Sequence, residues 1–133
     1  MAETRTRTSI WPGLRYTDAP AAIRFLVEAF GFEEAAVYHG ETEDVVAHAE
    51  LRWPGGGGVM LGTARPDSSI ADLPAGTGSI YVVTDEPDAL YERAEAAGAT
   101  VVQGLRDEDY GSRGFTVRDP EGVHWSFGTY AGS

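Results

Sequence analysis

The sequence predicts an α+β fold built from two βαβββ modules in series, and two observations carry that reading. A set of residues recurs at one fixed offset, and short runs of β-forming residues bounded by turn signals follow each copy. Thr17-Asp18-Ala19-Pro20-Ala21-Ala22 returns as Thr84-Asp85-Glu86-Pro87-Asp88-Ala89, and Glu28-Ala29-Phe30-Gly31 meets Glu95-Ala96-Ala97-Gly98 at the same offset.

A first strand over 9–17 leads into a helix. Asp18 is suited to cap its N-terminus, with Pro20 inside the first turn, where a missing N–H costs nothing. Ile23, Leu26, Val27 and Phe30 keep helical spacing, and Gly31 stands where a left-handed residue closes a helix. Three strands are expected next, over 34–39, 45–53 and 59–62. Pro54-Gly55-Gly56-Gly57-Gly58 makes the last turn among them, since glycine adopts positive φ freely. The stretch 63–77, rich in Pro, Ser, Asp and Gly, reads as a linker. The second copy starts with a strand over 79–84 and a helix between Asp85 as cap and Gly98. Leu90, Ala94 and Ala97 are its apolar positions. Strands over 100–104, 114–118 and 124–129 follow, with Asp119-Pro120-Glu121-Gly122 as a turn. The organisation expected is one domain over 1–133, with modules at 9–62 and 78–130.

Composition narrows the function classes. The chain has no cysteine, which removes disulfides, thiolate nucleophiles and cysteine-ligated metals. Twenty-one Asp and Glu against 10 Lys and Arg leave a net charge of −11, with no basic stripe. Nucleic acid is therefore not an expected partner, because phosphate binding needs concentrated positive charge. No segment approaches the roughly 18 apolar residues of a membrane span. The first eight residues are polar, without the apolar stretch of a secretory signal, so a cytoplasmic location is expected.

Three features together resemble the glyoxalase/bleomycin-resistance/dioxygenase (vicinal oxygen chelate) superfamily. They are the duplication, the strand-to-helix passage Leu14-Arg15-Tyr16-Thr17-Asp18, and the run from Phe115 to Trp125. The pattern F-x-V-x-D-P-x-G in that run is the most specific mark. His48-Ala49-Glu50-Leu51 before the glycine tract further resembles a PhnB-like subgroup. The resemblance implies modules whose mixed sheets curl into a cup, and a homodimer whose sites involve both subunits. It also implies metal ligands on the first and fourth strand of each module. Those positions fall near Trp11, at Met60 or Leu61, at Gly78 or Ser79, and at Ser126. None of these suits a divalent cation. The resemblance therefore points to a metal-free member with no cofactor and no catalytic residue. Such a member binds a small aromatic or cationic molecule and protects by sequestration, as antibiotic-resistance proteins do. The alternative is a metal-dependent lyase, isomerase or dioxygenase with a displaced site formed by His48, Glu50 and His124.

Strand alternation assigns the cup lining. In the third strand Val45, Ala47, Ala49, Leu51 and Trp53 are expected on the helix side, leaving Val46, His48, Glu50 and Arg52 inward. In the last strand Trp125 and Phe127 suit the helix side, with His124 and Ser126 inward. Leu14 and Tyr16 suit the core, with Trp11 and Arg15 inward, and Ser79 and Tyr81 oppose Ile80 and Val82. The candidate ligand-binding set is Trp11, Arg15, His48, Glu50, Arg52, Tyr81, His124 and Ser126. Rings beside a few polar groups describe a stacking pocket for a flat ligand. Ordinary burial or a dimer contact is the competing explanation for Trp11 and Tyr81. The acidic loop 107–113 with Tyr110 reads either as a pocket rim or as an exposed turn. Gly55–Gly58 is not a phosphate loop, since no Lys-Ser/Thr and helix follow it.

Overall fold

In the computed structural model, which describes residues 8–69 and 72–132, each half of the chain runs strand, helix and three strands. Most of the polar N-terminal segment and the centre of the linker lie outside the described residues. The first half comprises β1 (Gly13–Tyr16), α1 (Ala19–Phe25) with a π-helical turn (Leu26–Phe30), β2 (Glu33–His39), β3 (Val46–Arg52) and β4 (Gly58–Thr63). The second comprises β5 (Ser79–Val83), α2 (Pro87–Ala96), β6 (Thr100–Asp107), β7 (Arg113–Arg118) and β8 (His124–Gly128).

The two helices begin differently. The Asp18 carboxylate accepts a hydrogen bond from the Ala21 N–H at 3.1 Å, as a cap does. Asp85 does not repeat this role. Pro87 occupies the first helical position, so Glu86 is the N-cap, and its side chain caps nothing. Both helices end on the expected glycines, Gly31 at φ 90° and Gly98 at φ 95°. The π-helical turn, which periodicity does not show, directs Leu26, Ala29 and Phe30 into the core. Arg93 of α2 closes that turn. Its Nε donates to the Glu28 carbonyl at 2.8 Å and its Nη2 to the Val27 carbonyl at 3.2 Å. A cation on the open carbonyls of a helix end satisfies them and complements the dipole. Arg93→Gln is expected to lower stability by about 0.5–1 kcal/mol in urea unfolding.

Strand order is β1-β4-β3-β2 in the first sheet and β5-β8-β7-β6 in the second. In each, the module's first strand lies parallel to its fourth and the other pairings are antiparallel. These are two separate sheets, so a single curled sheet is not formed within one chain. Register departs from expectation in three places. β1 starts only at Gly13, because Pro12 has no N–H to give, although its carbonyl still accepts from Met60 N–H at 2.9 Å. β6 runs on to Asp107, since Arg106 and Asp107 pair with Gly114 and Arg113. In β3, Tyr38 pairs with His48 but His39 with Val46, so Ala47 is bulged out. Val46 is therefore fully buried and Ala47 exposed, the reverse of simple alternation.

One apolar cluster spans both modules. Phe30 lies 5.3 Å from Trp125 and 4.8 Å from Phe127 between ring centroids, and Phe32 lies 5.4 Å from Trp125. Ala49, Leu51, Val59 and Leu61 of the first sheet face the same cluster as Phe115, Val117, Trp125 and Phe127 of the second. The chain is thus a sandwich with both helices between the sheets. Each valine, leucine or phenylalanine among them contributes roughly 1.5–3 kcal/mol by leaving water. The opposite face of each sheet points outward.

A polar latch crosses the sandwich. Asp119 is 4% exposed, and its Oδ1 accepts from the N–H groups of Glu121, Gly122 and Val123, each at 3.1 Å. Its Oδ2 accepts from Tyr16 Oη at 2.6 Å and Trp125 Nε1 at 3.1 Å. Burial, and then the Asp119 carboxylate, hold the Tyr16 phenol far above its ordinary pKa, so it remains a donor. Glu121 adds a second tie, accepting from the Thr17 and Asp18 N–H groups at 2.7 and 2.8 Å. The Asp-Pro-Glu-Gly turn of the second module is therefore bound to the start of α1 in the first.

Candidate functional site

The eight candidate residues divide between the two outward faces. Arg15, His48, Glu50 and Arg52 belong to the first sheet, and Trp11, just ahead of β1, lays its ring over Gly58 of that sheet; Tyr81, His124 and Ser126 belong to the second. Glycines hollow the first face. A methyl group added at Gly62 would lie 2.5 Å from Nη1 of Arg15, and one at Gly58 would lie 2.9 Å from the Trp11 ring. Both long side chains thus lie across the β4 backbone. His48 Nε2 and Glu50 Oε2 are 2.9 Å apart, and the Tyr38 ring stacks on His48 at 6.2 Å and 24°. Tyr38 is 60% exposed and was not among the candidates. It belongs with them because β2 sets it directly across from His48. Arg52 ends β3, opposite Glu33 and Gly58.

On the second face, Ser126 Oγ and Thr116 Oγ1 are 2.7 Å apart, and His124 lies between Ser79 and Arg118 in the ladder. Tyr81 crosses over Gly128 and donates to the Tyr130 carbonyl at 2.6 Å. Tyr110 meets the Tyr130 ring edge-on at 5.7 Å, bringing three tyrosines to one end of this face. Two arginines pair with Asp107 and Glu108 of the acidic loop beside them. Arg106 makes two 2.8 Å bonds to Glu108, which hold that carboxyl below its usual range. Arg113 similarly forks onto Asp88 and reaches Asp107 at 3.3 Å.

The residues do not fit a metal centre within one chain. Trp11, Met60, Ser79 and Ser126 offer no ligand set, and His124 is on the other side of the sandwich from the His48–Glu50 pair. Among the described residues, no group of three His, Asp or Glu side chains is arranged to hold a metal ion.

A cleft of about 750 Å³ opens elsewhere, where the β3–β4 turn approaches β5. Phe32, Trp53, Val59, Ile80 and Val82 form its apolar walls, the glycine turn one rim, and Asp85 and Glu86 the other. Of the eight candidates, Tyr81 alone lines it. Trp53 spans its base, packed 5.1 Å from Phe32, with Nε1 donating to the Val83 carbonyl at 3.3 Å. Sequence patterning does not reveal this cleft, because its walls come from segments some 25 residues apart that pair with no common strand.

A family model described as "Glyoxalase/Bleomycin resistance protein/Dioxygenase superfamily" matches residues 9–127. The uncharacterized protein Rv0887c of Mycobacterium tuberculosis is 36% identical over 126 residues, which cover 88% of this chain and 71% of the relative. Among solved structures, TioX from Micromonospora sp. ML1 superposes with a TM-score of 0.77 at 32% identity, covering 92% of this chain and 98% of TioX. A superfamily member from Sphaerobacter thermophilus gives 0.68 at 18% identity, covering 90% and 96%, and shares the fold.

Proposed function

The chain belongs to the glyoxalase/bleomycin-resistance/dioxygenase superfamily, and from that premise we propose that it binds a small aromatic or cationic molecule without a metal. It acts as a homodimer in the cytoplasm, and its role is sequestration, in the manner of an antibiotic-resistance protein. The observation that carries the reading is the division of the eight candidate residues between two outward faces of one sandwich. Neither face encloses a ligand alone. In a pair, the first sheet of one copy and the second sheet of its partner supply the two walls of one cup. Trp11, Arg15, His48, Glu50 and Arg52 then oppose Tyr81, His124 and Ser126. Rings and single charges at such a junction orient a flat ligand and exclude water.

The test combines light scattering with a fluorescence titration against bleomycin and other aromatic or cationic antibiotics. A dimer is expected, with binding weakened at least about tenfold by either His48→Ala or His124→Ala. Co-expressing the two variants in equal amounts regenerates one intact cup per mixed dimer and, because half of the dimers are mixed, about a quarter of the binding capacity. A chain that stays monomeric and binds none of these compounds overturns the proposal. So does stoichiometric metal that is lost on His48→Ala, which would establish the displaced-metal alternative.

A further inference from the structure

The geometry points to a second binding site, sharing only Tyr81 with the proposed cup: the cleft between the β3–β4 turn and β5, taking a planar aromatic cation. It goes beyond the reading above, because it lies within one chain and needs no partner.

Three recognition elements converge there. The first is an apolar slot. Trp53 is half-buried, packed on Phe32 and, at 6.0 Å, on Phe127, with the rest of its surface open to the cleft between Val59 and Ile80. An opening of about 750 Å³ is within the roughly 300–1,000 Å³ range of small-molecule sites. The second is a free strand edge. Among the described residues β5 pairs only with β8, and Gly78 and Thr84 make their ladder bonds on that side. Alternation in a parallel pair turns the amide groups of Tyr81 and Val83 the other way. Trp53 already occupies the Val83 carbonyl, which confirms the direction and leaves the Tyr81 N–H and C=O facing the cleft. These supply directional bonds to a heterocycle.

The third element is charge. The Asp85 and Glu86 carboxylates form no hydrogen bond or ion pair among the described residues. This contrasts with Asp88, Asp107 and Glu108, all held by arginines. Among the described residues no arginine lines the cleft, and the chain as a whole carries −11. The slot selects a flat ring and the rim selects its positive charge. Gly56 and Gly57, at φ 115° and 80°, have nothing within 4 Å of an added methyl, so that rim leaves room for entry.

Proflavine, a planar cation, is the probe, with neutral acridine and the anionic dye 1,8-ANS as comparisons. Proflavine is expected to quench tryptophan emission with one site per chain, acridine to bind at least about tenfold more weakly, and the anion not at all. Added salt weakens proflavine binding. Trp53→Phe removes most of the quench. If that variant unfolds, Asp85→Asn with Glu86→Gln is decisive, because both residues are exposed. It should weaken proflavine about tenfold and leave acridine unchanged. Glu92→Gln with Glu95→Gln removes the same charge from the remote surface of α2 and should change nothing. Equal affinity for all three dyes overturns the inference, as does a double variant that binds like the parent. So does a dimer in which Trp53 is shielded from iodide and proflavine has no effect, since a second copy would then fill the cleft.

Discussion

Asp119→Ala is expected to cost at least about 3 kcal/mol, seen as a fall of about 10 °C in Tm. Five donors converge on that carboxylate, and alanine leaves the Tyr16 hydroxyl, the Trp125 indole N–H and the Val123 amide buried without an acceptor. Unsatisfied buried donors cost about 1–3 kcal/mol each, although the surroundings relax and the sum is not additive. Two controls locate the effect. Asp119→Asn keeps Oδ1 for the three backbone N–H groups but presents an amide donor toward the indole, and should recover only part of the loss. Tyr16→Phe deletes one donor cleanly and should cost about 1–2 kcal/mol. If Asp119→Ala unfolds like the parent in urea, the latch does not hold the modules together.

Phe30→Ala should be at least as damaging, about 3–5 kcal/mol. Phe30 is 1% exposed and touches Phe25 of its own helix and Trp125 and Phe127 of the other module. Its removal opens a void at the seam of the sandwich, where neither sheet can collapse without displacing a helix. Phe30→Leu, which refills much of that volume, should restore more than half of the loss. Calorimetry separates the outcomes. A single sharp transition at lower temperature is expected, whereas two resolved transitions would show that the modules unfold independently.

The fold was legible to the extent that local chemistry specifies it. Period-two alternation assigned Leu14, Tyr16, Trp125 and Phe127 to the core, and the glycines at 31 and 98 marked both helix ends. Where a partner strand decides, local reading failed. Val46 and Ala47 exchange faces because β2 shifts register beside them, and nothing within β3 records that shift. Asp85 mimics Asp18 in the repeat, with a proline two residues on in both copies, yet α2 starts one residue later than α1 does. For the candidate site, alternation kept Arg15, His48, Glu50, Tyr81, His124 and Ser126 off the core face but misplaced Val46 beside them. It could not show that the two outward faces diverge, because that follows from helices packing between the sheets. The Asp119 turn was readable from its residue types, but its bond to Tyr16 spans 103 positions.

The shared core also bears on how such a chain could have arisen. A lone half, of some 50 residues, would leave the helix side of its sheet in water, and so small a unit is marginal even when fully covered. Either half made by itself is therefore expected to need a second copy against its helices, as a single ancestral unit of this size would have.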